Sequence, residues 1–311
     1  MHSESTTSLD TLVPGRVNLL TCSMRNDLDL FGNLATSVDE HVDSDLTHYV
    51  VVPGTDLALF QKYQTQHREI IAQEDILPVK ARKLPRWVKH FSFIKSGLRR
   101  PLYLLPNGKF TYGWILQQYL KIEMSRRLED IGLMHVDSDV CFYRNFKTQD
   151  AFTDGKVRFL RVEHNLSNPM HLPWTHAACD FLKLDATQHG DAHFIENCVL
   201  WSTDVARAMV AHIEDVHGKP LHEILFGAKT LSEYYLYGIF AEAFPDKTAL
   251  YEEPFSYCNS YWPKNSDSVF DMAQMKQNSH SKHCAIAVQS TSDMSLTERQ
   301  EIYRRAALEL T

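Results

Sequence analysis

The sequence lacks any unbroken apolar run of about 18 residues, the length that a membrane-spanning helix needs. It also lacks a basic start followed by an apolar segment, so no signal peptide is expected and the predicted location is the cytoplasm. Its six cysteines form no CxxC pair, which argues against a zinc knuckle and against a disulfide framework. The P-loop, HExxH, GxSxG and GxGxxG signatures are absent, which disfavours kinases, zincins, hydrolases and dinucleotide-binding Rossmann enzymes.

What is present is a chain of 311 residues, 44% hydrophobic and 23% charged, which suffices for the core of one large α/β domain. The formal net charge of -7 disfavours a nucleic-acid partner, because phosphate binding needs a basic surface. The first residues are rich in Ser and Thr and predict a flexible N-terminal tail over residues 1–15. Residues 16–311 are then expected to form a single domain.

Apolar runs of strand length alternate with helix-like segments along the chain. The predicted strands are 16–22, 48–53, 133–136, 157–162, 193–203 and 284–290, and the predicted helices are 28–38, 56–63, 114–128, 204–218, 231–244 and the tail from Ser295. Gly218 is expected to end one helix, and Ser295 with Glu298 forms a capping box for the last. This order predicts βαβ units and therefore an α/β fold with a mainly parallel, Rossmann-type sheet flanked by helices.

A basic stretch at residues 79–109 interrupts this order. It holds nine Lys or Arg and no Asp or Glu, with Trp87, Phe91 and Phe93 interleaved. We interpret it as an insertion that docks on an anionic membrane surface or holds an anionic acceptor glycan, with a solvated basic face as the plain alternative. Membrane docking would make the protein peripheral on the inner face of the membrane.

Two carboxylates follow directly on the strand at 133–136. Asp137 and Asp139 flank Ser138, and another apolar run follows. Alternation along a strand puts both carboxylates on one side, and burying them together is costly without a partner. Mn²⁺ or Mg²⁺ suits such hard oxygen ligands and would hold a nucleotide diphosphate. The flanking strands favour a ligand site over a solvated turn, because ligands bind at strand ends in open α/β sheets.

Polar residues near this motif and after the first strand are candidate nucleotide-binding residues. They are Thr21, Ser23, Arg25, Asp27, Gln117, Lys121 and Ser138. The first four follow the carboxyl end of the first strand, where nucleotides bind in such sheets. Gln117 and Lys121 share one face of a helix, and the Lys121 side chain could reach a phosphate. An ordinary polar loop and a surface Lys–Gln face are the alternatives.

Three further residues are candidates for catalysis or metal binding. Asn197, beside Glu196 in an apolar run, is a candidate contact for a donor or acceptor hydroxyl, or else a satisfied structural residue. Glu233 opens a helix and is a candidate general base, or else a first-turn capping carboxylate. His283, with His280 nearby, is a candidate third metal ligand, or else a structural or exposed histidine.

Four blocks carry a resemblance to a known family: GWILQQYLK at 113–121, HVDSDVCFYRNF at 135–146, IENCVLW at 195–201 and SEYYLYGIF at 232–240. In this order they resemble an uncharacterised family of bacterial glycosyltransferase-like proteins, over roughly residues 16–290. The resemblance implies a GT-A-like fold with nucleotide-sugar and acceptor halves. A weaker similarity runs to glycogenin-like transferases, in which a late His joins the DxD motif as a metal ligand. His283 or His280 is the nearest match, although the HxxGxxKPW pattern of those enzymes is absent.

The predicted function is a metal-dependent glycosyltransferase. It would move a sugar from a nucleotide-diphosphate sugar, expected to be UDP-linked, to a cell-envelope glycan or a lipid-linked acceptor. One alternative is a metal-dependent phosphohydrolase or phosphotransferase, but Val140 and Cys141 stand where such enzymes carry Gly or Thr after the motif. The other is a non-catalytic protein that binds nucleotide sugars, which the intact DxD motif disfavours.

Overall fold

The structure is a computed structural model and describes residues 16–85, 101–129, 131–163, 171–245, 250–262, 270–290 and 292–310. Its strands are β1 (Val17–Cys22), β2 (His48–Val52), β3 (Arg68–Ala72), β4 (Arg82–Lys83), β5 (Leu102–Leu104), β6 (Phe110–Tyr112), β7 (Gly132–Val136), β8 (Val140–Phe142), β9 (Phe152–Thr153), β10 (Lys156–Leu160), β11 (Val162–Glu163), β12 (Ala192–His193), β13 (Cys198–Ser202), β14 (Leu250–Glu253), β15 (Cys258–Tyr261) and β16 (Ala285–Val288). Its α-helices are α1 (Leu28–His41), α2 (Leu57–Phe60), α3 (Gln73–Ile76), α4 (Gly113–Arg127), α5 (Leu172–Leu182), α6 (Thr203–His217), α7 (Leu221–Leu225), α8 (Glu233–Ala243), α9 (Met272–Gln277) and α10 (Leu296–Glu309).

A five-stranded central sheet organises the molecule, in the order β13-β7-β1-β2-β3. The strands β7, β1, β2 and β3 are parallel, and β13 is antiparallel to β7. Helices cover both faces, so the predicted α/β class with a mainly parallel, helix-flanked sheet is confirmed. Both faces of β1 are buried, including its polar residues Asn18 and Thr21. Leu19 lies in one hydrophobic cluster with Phe31 of α1, and Leu20 lies in another with Leu120 of α4.

The largest hydrophobic cluster joins the sheet to α4, α5, α6 and α8. At its centre the rings of Trp201 on β13 and Tyr237 on α8 stack, with centroids 4.3 Å apart and planes 6° from parallel. The Tyr237 hydroxyl also accepts the backbone N–H of Ser202 at 2.9 Å. These contacts fix α8 against the antiparallel edge of the sheet, so the first turn of α8 has a defined position.

A second sheet continues directly from the central one. Strand β8 follows β7 after Asp137-Ser138-Asp139, and it joins the order β15-β16-β8, with β16 antiparallel to β8. The two carboxylates therefore lie in the turn between two sheets. The sequence predicted the strand before the motif but placed no second sheet after it.

Most predicted elements are confirmed, including the end of α6 at Gly218 (φ 61°) and the capping box of α10. The prediction of one continuous strand over residues 193–203 is wrong. Only Cys198–Ser202 is β13, because Ala192–His193 forms the separate short strand β12, which pairs with β11 instead of β7. The predicted helix 56–63 is also shorter, with a single α-helical turn at Leu57–Phe60 between two 3₁₀ turns.

The basic stretch is described at its two ends only. There β4, β5 and β6 form a small antiparallel sheet that leads into α4. Residues 86–100 of the stretch and the predicted tail 1–15 lie outside the described residues. Among the helices that the structure describes, none has the length and apolarity to cross a membrane.

Candidate functional site

The carboxyl ends of β1, β2, β3 and β7 meet at one edge of the central sheet, where ligands bind in folds of this type. A cleft of about 220 Å³ opens at this edge, between the strand ends and the start of α4. It is lined by Cys22, Ser23, Met24, Asp27, Val51, Pro53, Gln73, Pro101, Tyr103, Gly113, Trp114, Gln117 and Leu120. Apolar and aromatic surface therefore stands beside a few polar side chains in one concave site.

The two predicted metal ligands differ in environment. The Asp137 side chain is 36% exposed, whereas Asp139 is buried. Asp139 Oδ2 accepts the backbone N–H of Ser290 at 2.6 Å, but its Oδ1 is buried without a hydrogen-bond partner among the described residues. Burial and the neighbouring charge of Asp137 raise the pKa of Asp139 to about 7. An unsatisfied carboxylate oxygen beside a second carboxylate is an arrangement that a cation would relieve.

Lys121 is brought to the same place from α4. Its buried ammonium lies 3.4 Å from Asp137 Oδ1 and 3.0 Å from Glu233 Oε1, and it donates to the Tyr234 hydroxyl at 2.9 Å. Burial alone lowers the pKa of Lys121, but these three neighbours outweigh burial and raise it well above its usual value. Lys121 is therefore a permanent positive charge next to Asp137.

Glu233, the predicted base, is itself buried as the first residue of α8. Its backbone N–H donates to Gln118 Oε1 at 2.9 Å, while Gln118 Nε2 is buried without a hydrogen-bond partner among the described residues. The Glu233 side chain is 6% exposed and faces Lys121. The structure thus joins Glu233 to the site through Lys121.

Besides Lys121, four of the predicted nucleotide-binding residues lie at the cleft or at the carboxylate turn, by which we mean Asp137-Ser138-Asp139. Ser23, Asp27 and Gln117 line the cleft. The Ser138 hydroxyl donates to the Ser23 hydroxyl at 2.9 Å, which ties the turn to the end of β1. Burial and the charge of Asp137 raise the pKa of Asp27. Cleft and carboxylates form one continuous site.

Thr21 and Arg25 lie elsewhere. Thr21 is fully buried within the sheet, where its hydroxyl is 2.9 Å from Nε2 of the His48 ring. Arg25 donates its backbone N–H and its Nε to the carboxylate of Asp56, at 2.9 and 2.7 Å. Neither residue lines the cleft, because each side chain is directed to a partner on or after β2.

Asn197 lies next to the carboxylate turn, as a candidate site residue should. Its carbonyl accepts the backbone N–H of Asp137 at 3.1 Å, and its Nδ2 donates to the Ser260 hydroxyl at 2.9 Å. Ser260 in turn donates to Glu196 Oε2 at 2.6 Å, and Gln289 Nε2 donates to Asn197 Oδ1 at 3.1 Å. A polar network therefore borders the site on the side opposite the cleft.

His283 does not join the carboxylates, so its predicted metal role does not fit the structure. In the antiparallel pair, Ala285 faces Phe142 and Ala287 faces Val140, which puts His283 beyond the far end of β8 from Asp139. There it lines a separate cavity of about 270 Å³. Burial, His280 and Arg144 lower the pKa of His283 to about 4.

The other candidate histidine, His280, stacks its ring on the ring of Phe255 with the centroids 3.8 Å apart, also away from the carboxylates. Among the residues that the structure describes, no group of three or more His, Cys, Asp or Glu side chains is arranged to hold a metal ion. A cation at this turn would therefore rely on Asp137 and Asp139 together with ligands other than His, Cys, Asp or Glu side chains of the described residues.

Sequence reasoning missed several residues that build the site. Tyr234 lies inside the SEYYLYGIF block, and its hydroxyl accepts a hydrogen bond from Lys121. A tyrosine in so apolar a run needs a partner for its hydroxyl when it is buried, and this was a signal in the sequence. Ser290 acts through its backbone N–H, and Ser260 through a hydroxyl on a strand that the sequence did not predict. These two left no signal in the sequence.

Comparisons with known proteins complete this description. The model of one protein family, described as a family of unknown function (DUF6492), matches residues 17–306. A search of curated proteins found no match. Two solved structures are similar. The first is the apo structure of the bifunctional glycosyltransferase WbbM, which is 11% identical with a TM-score of 0.44; the match covers 91% of this chain and 47% of that chain. The second is an active-site mutant of LgtC, which is 12% identical with a TM-score of 0.46; the match covers 93% of this chain and 95% of that chain. The chain thus spans about half the length of the WbbM chain.

Proposed function

Since the chain belongs to DUF6492, a family of unknown function, its activity follows from its own residues, and we propose that it is a metal-dependent glycosyltransferase of the GT-A type. It would move a sugar from a nucleotide-diphosphate sugar to an acceptor hydroxyl. The observation that carries the proposal is the buried, unpartnered Oδ1 of Asp139 beside Asp137, at the strand edge where the cleft opens. The four sequence blocks that resemble glycosyltransferase-like proteins support the GT-A type.

Asp137 and Asp139 would hold the cation, and their oxygen donors suit Mn²⁺ or Mg²⁺. The unpartnered Asp139 oxygen is the feature that fits such an ion. When bound, the cation acts as a Lewis acid and template for the leaving diphosphate. His283 takes no part, because it lies at the other end of β8.

The chain's own residues bind and orient the donor. The rings of Tyr103 and Trp114 offer apolar surface for a base, and Ser23, Asp27 and Gln117 offer polar groups for the ribose. The ammonium of Lys121 adds fixed positive charge next to Asp137, where the diphosphate would lie. Glu233 and Tyr234 hold that ammonium in place.

The proposal extends to the chemical class of the donor and of the acceptor. We propose a UDP-linked donor and a cell-envelope glycan or a lipid-linked acceptor, handled in the cytoplasm. The basic residues at the two described ends of 79–109 support contact with an anionic acceptor or with the inner face of a membrane.

The test is a thermal-unfolding screen of UDP, GDP, CMP and their sugars, with and without Mn²⁺. The proteins are the wild type, Asp139→Asn and the matched control Asp204→Asn. Asp204 is 77% exposed and follows Ser202, which pairs with Gly132 at the opposite edge of the sheet. We expect one nucleotide sugar to raise the melting temperature in the presence of Mn²⁺, because ligands stabilise the native state by mass action.

The shift should be lost in Asp139→Asn and kept in Asp204→Asn. An equal shift in both variants would mean that binding does not use the carboxylate turn. The absence of a shift with every nucleotide would overturn the proposal, and hydrolysis of an aryl phosphate would then test the phosphohydrolase alternative.

A further inference from the structure

Glu233 is poorly placed to take a proton from an acceptor. Its side chain is 6% exposed, and its Oε1 lies 3.0 Å from the ammonium of Lys121. Protonating Glu233 would remove one partner from a buried positive charge, which costs free energy. An acceptor hydroxyl loses its proton when it attacks the sugar, and a carboxylate that is not paired with a buried ammonium is better suited than Glu233 to accept it.

Glu196 borders the same site on the side of β13. Cys198 pairs with Val136, and the carbonyl of Asn197 accepts the N–H of Asp137, so the next residue back along the chain, Glu196, lies across from Ser138. Glu196 is partly exposed, unlike Glu233. It thus borders the carboxylate turn on the side away from the nucleotide cleft.

The carboxylate of Glu196 is held in a fixed orientation. Ser260 donates to Glu196 Oε2 at 2.6 Å, and Asn197 Nδ2 donates to the Ser260 hydroxyl at 2.9 Å. Burial raises the pKa of Glu196 to about 6, although the hydrogen bonds from Ser260 and from the Asn197 backbone lower it. A carboxylate of this kind is ionised at neutral pH and more basic than an ordinary glutamate, as a general base should be.

Trp262 indicates where the acceptor arrives. Its side chain is 50% exposed and stands two residues beyond Ser260. An exposed indole offers a flat apolar face with a polar N–H, the combination that favours contact with a ring carrying hydroxyl groups.

Resting on the proposed glycosyltransferase function, we infer that Glu196 is the general base that deprotonates the acceptor hydroxyl. The acceptor O–H bond breaks and its proton passes to the Glu196 carboxylate. The acceptor oxygen forms a bond to the anomeric carbon, while the bond from that carbon to the phosphate oxygen breaks and its electron pair leaves with the nucleoside diphosphate. A single displacement of this kind inverts the configuration at the anomeric carbon.

The experiment compares the wild type, Glu196→Gln, Glu233→Gln and the control Glu252→Gln, which alters an exposed glutamate on β14. Calorimetry measures binding of UDP with Mn²⁺, which reports the fold and the donor site. UDP release is then measured from UDP-glucose, UDP-galactose and UDP-N-acetylglucosamine with water as the acceptor, across pH 5–8. Proton NMR reads the anomer of the released sugar before it equilibrates.

We expect Glu196→Gln to bind UDP as the wild type does, but to release UDP roughly 10²–10⁴-fold more slowly. With saturating Mn²⁺, so that titration of Asp139 does not limit the rate, it should also lose the fall in rate that the wild type shows below about pH 6, near the pKa of Glu196. Glu233→Gln should keep that fall, and Glu252→Gln should match the wild type throughout.

Release by Glu196→Gln within threefold of the wild-type rate, or a released sugar with retained configuration, would overturn the assignment of Glu196 and leave the proposed function standing. If the wild type binds no UDP and releases none, the UDP-linked donor fails and the role of Glu196 is overturned with it, whereas the proposed function falls only if no nucleotide raises the melting temperature.

Discussion

At the scale of single residues, the ammonium of Lys121 is a buried positive charge with three polar partners in the site. It is buried between Asp137 and Glu233 and donates to Tyr234. Lys121→Met keeps most of the apolar stem but leaves two carboxylates without their cation. Because breaking a buried ion pair from one side leaves uncompensated charge, we expect unfolding by urea to show a loss of about 3–5 kcal/mol.

The matched control for this change is Lys219→Met, at an exposed lysine that follows α6. It should alter the free energy of unfolding by no more than about 0.5 kcal/mol. Adding Glu233→Gln to Lys121→Met should restore part of the loss, since it removes one of the two orphaned charges. Equal losses in Lys121→Met and Lys219→Met would contradict the buried ion pair.

The raised pKa of Glu196 makes the stability of the folded protein depend on pH, and this dependence can be measured without a substrate. Its pKa is raised from 4.5 to about 6 in the folded protein, so the folded state binds the proton more tightly than the unfolded state. The stability that this proton contributes is fully present below about pH 4.5 and is lost as the pH rises through about 6. Glu196→Gln removes this loss and should be more stable than the wild type by about 2 kcal/mol at pH 7.5.

The measurement is the difference in unfolding free energy between Glu196→Gln and the wild type, taken from pH 4 to pH 8. Other titrating groups are common to the two proteins and cancel in this difference. A difference that stays constant over the whole range would mean that the pKa of Glu196 is the same in the folded and unfolded states.

At the scale of elements, local signals account for what the sequence predicted. The strand β1, the capping box of α10 and the αL glycine Gly218 are each decided by residues close to one another in the chain. The second sheet was not predicted, because β8 and β15 are short and only their pairing with β16 defines them. The misplacement of His283 has the same origin, since the register between β8 and β16 decides which end of β16 meets Asp139.

Gly238 tests how closely α8 packs. A Cβ at this position would overlap the ring of Phe194, whereas a Cβ at Gly227 would meet nothing within 4 Å. Within a helix, Gly→Ala alone stabilises by up to about 1 kcal/mol. We nevertheless expect Gly238→Ala to destabilise the protein by about 1–3 kcal/mol, because the clash of the added methyl group with the Phe194 ring outweighs that gain.

Chemical unfolding of Gly238→Ala and Gly227→Ala side by side checks this expectation. Gly227→Ala should lie within about 0.5 kcal/mol of the wild type. A more stable Gly238→Ala would show that Phe194 can move aside, and that the segment before Glu196 is less firmly held than its contacts indicate.

At the scale of the whole molecule, the site is assembled from parts that lie far apart in the chain. The sequence predicts Asp137 and Asp139 as candidate metal ligands because both stand at the end of one apolar strand. It could not identify their surroundings, since Lys121 meets Tyr234 across 113 positions and Ser290 meets Asp139 across 151. Such pairings depend on how helices and sheets pack, and no local pattern encodes them.

The C-terminal helix α10 is the most distant of these parts, and it supports the carboxylate turn from behind. The buried Arg299 donates to the backbone carbonyls of Val288, Gln289 and Ser292, which fixes the segment that carries the N–H of Ser290. The N–H of Ser290 holds Asp139 Oδ2 in turn. The position of Asp139 therefore depends on a helix that does not touch the cleft.

Arg299→Met should accordingly weaken Mn²⁺ binding, although Arg299 itself is not a candidate ligand. Loss of a residue that orients a metal ligand typically costs 10–100-fold in affinity, so we expect a decrease of about that size by calorimetry with Mn²⁺ alone. Arg304→Met is the control on the same helix, because Arg304 is 61% exposed and pairs only with Glu301 among the described acidic side chains. If Arg299→Met lowers stability but binds Mn²⁺ like Arg304→Met, then Asp139 keeps its position without Arg299, and the contact of Tyr303 with the Asp139 carbonyl together with the turn between β7 and β8 is sufficient to hold the ion.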